Sequence, residues 1–435
     1  MVTLQRGKQS VGEKVRILRE HHGVTQEQLS TIILSKERVA RVESGEEEYT
    51  DRQLLLIKGH FKLRGLPLTD DECEGFENRM HHWRELLRTR SMPEARRIYG
   101  EVTFVDRIEP YAPDLVMQCK LIEVQYFITD NRPEEAEIRL NILKDKLEKM
   151  NDECLYYYHH TKGHLDMYYE MYERALVHLQ EAYKVLENNK ALLIQKKAIL
   201  YHNIAVCHTH IEMPYKSIIF MQKAQYEGVE AMVPNFELFS SQILAINYIK
   251  VNELDEAERL LKKCIAIANG LKSNEHIGYT AFIYGYMHKK AGNWTEAIDS
   301  FEKATKYLPA NSNNYFASLY HGIHAHIGTR QYVKSRELLQ EAEDIYINNQ
   351  TWTVYFEALG HYLSLRKQMT YRNEVASNYI LDKAIPFFIE MNDHFVALDY
   401  YILLEEHFES IRSHAKSTKM AKAIRNIYQR VFCRK

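Results

Sequence analysis

Tyr284-Gly285-Tyr286-Met287-His288, then Ala297-Ile298-Asp299-Ser300-Phe301-Glu302-Lys303-Ala304, then Pro309, reads as two short helices packed as an antiparallel pair. Gly285 has no side chain to hold a neighbouring helix away, and Ala297 is small at the matching place on the second helix. Phe301 is large enough to fill the space between one pair and the next. Asn293-Trp294 falls at the turn between the helices. Pro309 ends the second helix, since proline lacks a backbone donor and clashes with the preceding turn.

Outward from this unit, the small residue equivalent to Ala297 recurs at Ala95, Ala136, Ala175, Ser217, Ala257, Ser335 and Ser377, at gaps of 38 to 42 residues. From about residue 80 the chain is therefore a repeat array. A ninth, eroded unit is expected over roughly 395–430, because terminal repeats are atypical. The pattern resembles the tetratricopeptide repeat. Its period here exceeds the usual ~34 residues, which implies helices about a turn longer. One pair cannot bury its own apolar face, whereas stacked pairs can, and they wind into a right-handed superhelix with a concave wall. The expected fold class is all-α.

The first helix of each unit lines that wall. Extrapolation from the Ala297 unit places Gln125, His160, His164, His202, Asn203, Gln242, Asn247, Tyr279, Phe282, Tyr286, Tyr320, His324 and Arg366 on it. Amides bond a peptide backbone and aromatic rings hold its side chains, so the expected ligand is a short extended oligopeptide. Asn203, within Tyr201-His202-Asn203-Ile204-Ala205, is the sharpest candidate. The competing reading is that such amides only cap and bridge neighbouring helices.

The bulk composition agrees. The chain has 435 residues, too many for one compact core of usual size, with 45% apolar residues but only 9 prolines and 17 glycines. That scarcity suits long helices over turn-rich sheets. Net charge is -2, unevenly spread: residues 1–65 carry 12 basic and 9 acidic side chains, and the remainder is acidic by 5. A weakly basic head on an acidic body fits nucleic-acid contact at the head alone. Cys73, Cys119, Cys154, Cys207, Cys264 and Cys433 form no CxxC pair, as expected of scattered thiols in a reducing compartment. No apolar run approaches a membrane span and no signal-peptide core is present, so a soluble cytoplasmic protein is expected, with no membrane partner. Three histidine groups stand out: His159, His160 and His164; His202, His208 and His210; His321, His324 and His326. None has HExxH or zinc-finger spacing, so packing is expected and no metal. Without a Gly-rich phosphate loop, a nucleophile elbow or paired catalytic carboxylates, neither an enzyme nor a cofactor is expected.

The head has its own pattern. Val11, Val15 and Leu18 recur at helical spacing, and Gly23 ends that helix. Thr25 caps the next, with Gln28 completing a capping box, and Leu29 and Ile32 point inward. Ser35 begins a third helix with Val39 and Val42 inward; Gly45 stops it. Thr50 starts a fourth, with Leu54, Ile57 and Phe61 as its stripe. The third helix then presents Ser35, Lys36, Glu37, Arg38 and Arg41 outward, where a recognition helix meets base edges, and Gln26 is placed to donate to a phosphate. Glu46-Glu47-Glu48 is unfavourable beside phosphates and is expected to face away. The run Leu29-Ser30…Ser35-Lys36-Glu37-Arg38-Val39-Ala40-Arg41-Val42-Glu43-Ser44-Gly45 resembles the Cro/phage-repressor helix-turn-helix, with Ile33 in place of the turn glycine and Tyr49 in place of a common proline. A small bundle used for protein contact is the alternative.

These parts divide the chain into a reader over 1–65, a linker over 66–75 opened by Gly65-Leu66-Pro67, and a repeat region over 76–435 joined through Phe76, Met80 and Trp83. A Cro-like reader followed by about nine tetratricopeptide units (by the ~40-residue period) resembles the RRNPP quorum-sensing regulators, in length most like the NprR branch. The resemblance implies a cytosolic transcription factor that binds a double-stranded operator, takes an imported signalling peptide in its groove and acts as a homodimer. The Rap-like branch implies an alternative: binding, or dephosphorylating, a response regulator of a sporulation phosphorelay.

Overall fold

A computed structural model describes residues 9–33, 35–63, 65–188, 194–228, 236–310 and 312–432; Cys433 lies outside them. All regular structure among them is helical. The chain forms two compact units, Met1–Lys196 and Lys197–Lys435.

The first unit opens with four short helices, α1 (Val11–His21), α2 (Gln26–Ile33), α3 (Lys36–Glu43) and α4 (Asp51–His60). Their ends follow from local chemistry. The Thr25 amide donates to Gln28 Oε1 at 2.8 Å and the Gln28 amide to Thr25 Oγ1 at 3.1 Å, closing the capping box. Gly23 and Gly45 take positive φ, +64° and +84°, at the ends of α1 and α3. Val15, Leu18, Leu29, Val39 and Ile57 are fully buried; Ile32 and Leu54 are half-buried. Gly12 lets α1 cross α3 at backbone distance: a Cβ there would lie 1.9 Å from the Val42 carbonyl oxygen.

Thr69 caps α5 (Asp70–Arg88), reciprocally with Glu72, so this helix begins inside the stretch expected as linker. Leu66 and Leu68 of that stretch are buried, in one core that runs from Val15 through Phe76, Met80 and Trp83 to Leu165. Three hairpins follow in this unit: α5 with α6 (Met92–Glu101), α7 (Pro113–Thr129) with α8 (Pro133–Lys144), and α9 (Asp152–Tyr168) with α10 (Tyr172–Asn188).

The second unit holds all but the first turn of α11 (Ile194–His210), then α12 (Pro214–Gly228), α13 (Phe236–Lys250) and α14 (Leu254–Gly270), α15 (Asn274–Ala291) and α16 (Trp294–Tyr307), and α17 (Asn313–Gly328) and α18 (Tyr332–Tyr346). Then α19 (Gln350–Lys367) pairs with a broken helix, α20 (Glu374–Tyr379) and α21 (Ile385–Glu390), and α22 (His394–Ser410) with α23 (His414–Phe432). The break is a π turn over residues 380–384, just ahead of Pro386, whose missing amide cannot continue the α ladder.

The small residues sit where the hairpin arms touch. Ala95, Ala136, Ala175, Ser217, Ala257, Ala297 and Ser335 are all fully buried. At Gly285 an added Cβ would stand 2.6 Å from the Phe301 ring, and the Phe301 Cβ also lies 3.3 Å from the Cβ position of Gly322 on α17. Phe301 thus fills the space between two hairpins. Each of these seven turns also holds a left-handed residue five positions before the small one: Arg90, Asn131, Glu170, Glu212, Asn252, Gly292 and Arg330. The same offset links Arg412 to the buried Ser417, which marks the eroded ninth unit.

Candidate functional site

A buried ion pair joins the reader helices. Arg19 of α1 donates through Nε to Glu43 Oε1 at 2.7 Å and through Nη2 to Glu43 Oε2 at 2.9 Å. Its Nη1 bonds the Val24 carbonyl at 3.0 Å. The hydrogen bond with Glu43 raises the Arg19 pKa, so the guanidinium stays charged although nearly covered. Gln26 Nε2 also donates to Glu43 Oε2, at 2.8 Å. Its amide is therefore engaged inside the reader, where the sequence suggested a phosphate contact.

On α3, Ser35, Lys36, Glu37 and Arg41 are exposed and Arg38 is half-buried. Lys36 lies 3.8 Å from Glu27. Its own backbone amide and the Ser35 hydroxyl hold the Glu37 carboxyl below its usual range. Ser35 has N-cap dihedrals, but its hydroxyl makes no capping bond to the helix backbone. Glu47 does not face away: its Oε2 accepts from Arg38 Nε at 2.8 Å, and its Oε1 lies 2.9 Å from Arg41 Nε. The chain turns back at Gly45, so Glu47 lies along the flank of α3, a placement that helical periodicity does not reveal.

The reader is bolted to the hairpins behind it. Lys14 Nζ meets Asp70 Oδ1 at 2.8 Å, Lys58 Nζ meets Glu72 Oε1 at 2.6 Å, and the Tyr111 hydroxyl donates to the Pro67 carbonyl at 2.6 Å. Lys14 and Tyr111 are both largely buried.

The residues expected on the ligand wall fall in both units. In the first, Gln125, His160 and His164 are half-buried on α7 and α9. His160 stacks on Tyr156 at 5.6 Å between centroids, and burial pushes its imidazole down to about 3. Burial, then Arg90, lowers His164. In the second unit, His202 and Asn203 are half-buried neighbours on α11, 3.4 Å apart at His202 Nδ1 and Asn203 Oδ1.

Gln242 and Asn247 lie between helices. Gln242 Nε2 donates to Thr280 Oγ1 at 2.9 Å; Asn247 Nδ2 reaches Thr209 Oγ1 at 2.8 Å, Ser217 Oγ at 3.0 Å and the Ile243 carbonyl at 2.7 Å. Both are fully covered, and their donors knit α11, α12, α13 and α15 together.

Tyr279 stacks on Phe282, and Tyr286 packs on His321. The buried Tyr320 donates to the Tyr400 hydroxyl at 3.2 Å. His324 is buried against Tyr362, with no hydrogen-bond partner for either ring nitrogen among the described residues. Burial, then the nearby Lys289, lowers the pKa of both His321 and His324. Arg366 bonds the Tyr362 hydroxyl and the Glu406 carboxylate. Among the described residues no group of three or more His, Cys, Asp or Glu side chains is placed to hold a metal ion.

Sequence reasoning missed two polar features of the second unit. Lys289, nearly buried, meets Asp399 at 3.1 Å. Glu212, buried at a left-handed turn, accepts from the backbone amides of His394 at 2.9 Å and Phe395 at 3.4 Å. That contact spans 182 residues, and no local pattern announces it.

No family model matches the chain. Two curated proteins are similar to it along most of their length. One is the transcriptional activator NprA of Geobacillus stearothermophilus, 22% identical over 349 residues, 78% of this chain and 84% of that protein. The other is the regulatory protein RapD of Bacillus subtilis, 22% identical over 293 residues, 64% of this chain and 80% of that protein. The fold is that of the quorum sensor NprR from B. thuringiensis in its apo form, at a TM-score of 0.66 and 18% identity over 81% of this chain and 99% of NprR. NprR in complex with its cognate peptide NprX matches at 0.64, with 17% identity over the same shares. In sequence and in fold the chain is similar to the RRNPP-type regulators. Its described residues form four short helices followed by helical hairpins, and no described helix is long and apolar enough to cross a membrane.

Proposed function

We propose that this chain is a DNA-binding transcriptional regulator controlled by a short peptide. One observation carries the reading: a helix-turn-helix with an outward basic helix shares a continuous core with the first hairpins of the repeat stack. A ligand that favours one arrangement of the stack can then bias the reader, by as much as its affinities for the two arrangements differ. The reader comprises residues 1–65, the junction 66–75 and the sensing region 76–435. Lys36, Arg38 and Arg41 face the DNA, with Ser35 and Glu37 at the helix start and Gln26 bracing α2 against α3 through Glu43. Two copies of the chain read a two-fold operator in the cytoplasm.

For the peptide, Asn203, with His202 beside it on α11, offers a half-buried amide that can both donate and accept. Gln125, His160 and Tyr286 offer half-buried surface of the same kind. The complex of NprR with NprX supports this choice of ligand class. The likeness to the response regulator aspartate phosphatase E of Bacillus subtilis, 22% identical over 246 residues, supports a second reading, contact with a response regulator, and the activator NprA among the relatives favours a non-enzymatic role.

The test uses the full chain and a random-sequence duplex pool. Enrichment of a discrete two-fold site, lost in the Lys36→Ala, Arg38→Ala, Arg41→Ala triple variant with helicity intact, is the expected result. Absence of any enriched sequence would remove the DNA reading. Capture of a phosphorelay protein alone would favour the second.

A further inference from the structure

We infer that Glu47 is a positioning residue for sequence reading: its carboxylate holds Arg38 and Arg41 so that their guanidinium forks are set before DNA arrives. The inference rests on the proposed DNA-reading role of α3.

The geometry uses both carboxylate oxygens and both Nε atoms, at 2.8 Å for Arg38 and 2.9 Å for Arg41. Glu47 is itself fixed. Gly45 turns the chain at φ +84°, and the Glu46 and Glu47 amides both donate to the Arg41 carbonyl, at 2.9 and 3.3 Å. A guanidinium has five N–H donors in a rigid plane. With Nε engaged, the two Nη groups remain, a pair whose spacing matches the O6 and N7 acceptors of guanine. Two long side chains lose rotamer freedom before binding, which lowers the ordering cost at the base edges.

Charge acts in the same direction. One carboxylate offsets half the positive charge of the two arginines. That weakens their sequence-independent pull on phosphates and leaves base contacts a larger share of the affinity. Glu48, next in the chain and exposed, holds neither arginine. It supplies a control with the same charge change and no contact to them.

The full-length protein and its Glu47→Gln and Glu48→Gln variants are titrated against two duplexes at several salt concentrations. One is the sequence that the wild type enriches from a random pool; the other is a scramble of it. Glu47→Gln is expected to lower the ratio of the two affinities about tenfold, and to steepen the salt slope on the scrambled duplex by about one unit. Glu48→Gln should leave the ratio within about twofold of wild type. An unchanged ratio in Glu47→Gln, or an equal loss in Glu48→Gln, overturns the assignment. A double-mutant cycle keeps the test sharp if the first variant is poorly folded: in an Arg38→Lys background, Glu47→Gln should reduce the ratio less than in wild type, and full additivity contradicts the coupling. If the wild type enriches no sequence at all, the DNA reading itself fails, a different result from enrichment with an unchanged ratio.

Discussion

Replacing Glu43 by alanine tests whether the reader depends on its buried ion pair. Glu43 accepts three hydrogen bonds, two from Arg19 and one from Gln26, between 2.7 and 2.9 Å. Its side chain is 2% exposed and that of Arg19 11%. Removing one partner of a buried pair costs about 3–5 kcal/mol, because the other charge is left uncompensated. Arg19 keeps the Val24 carbonyl and a contact with Glu20 at 3.4 Å, which places this case near the lower end, about 3 kcal/mol. A segment of some fifty residues has only about 3–8 kcal/mol of stability in total. The opening equilibrium of α1–α4 should therefore rise by roughly two orders of magnitude. Hydrogen-exchange mass spectrometry on the full chain reads this directly. Peptides covering α1 and α3 should lose protection about a hundredfold, while those covering α15 and α16 stay unchanged. The double replacement Arg19→Met with Glu43→Leu should recover most of the loss, since a well-packed apolar pair can replace a buried ion pair. Unchanged protection in Glu43→Ala, or a double variant no better than the single, would mean that the ion pair does not hold α1–α4 together.

Other positions give distinct readouts. Gly12→Ala should loosen the reader by about 1–3 kcal/mol or more, because the new Cβ meets the Val42 carbonyl backbone, which cannot move aside; full protection of α1 and α3 in the exchange experiment would contradict this. Burial pushes the Glu212 carboxyl up to about 7, opposed in part by Lys250. A carboxyl raised on folding stabilises most below its unfolded pKa and loses that contribution as pH rises through the folded one. Urea titrations should therefore show the advantage of wild type over Glu212→Gln shrinking between about pH 4.5 and 7, by up to about 3 kcal/mol. His321 and His324, lowered by burial, act in the opposite direction, so the difference between the two proteins is the measurement, and a pH-independent difference would reject the shift. Asn203→Ala should move the peptide dose curve for DNA binding about tenfold and leave peptide-free DNA affinity unchanged; identical dose curves would remove Asn203 from the site.

What could be read from the residues was local. The capping box of Thr25 and Gln28, the inward Val39 and Val42, and the small residue of each hairpin depend on neighbours within a turn or two, so spacing alone exposes them. The turns hid their regularity. Arg90, Glu170, Glu212 and Arg330 adopt the left-handed conformation that Gly292, Asn131 and Asn252 advertise, and Arg412 does the same, which is why Ser417 went unrecognised as the ninth small residue. Side-chain destinations were less legible still. Whether an amide on the first helix of a hairpin faces a ligand or a neighbouring helix is a matter of rotation by less than one residue, and Gln242 and Asn247 turned into the seam. Glu47 and Glu212 find their partners through chain turns and long-range contacts, on which helical period is silent.

Coupling between the peptide groove and the reader is open to a single titration. Full-length protein is bound to the duplex it enriches, and DNA affinity is followed against increasing amounts of the low-mass peptide fraction from the host's own spent medium. The expected result is a saturable change in DNA affinity of about 5- to 150-fold, abolished by protease treatment of the fraction and shifted to higher amounts in Asn203→Ala. A peptide that binds the protein yet leaves DNA affinity constant at every concentration would contradict it.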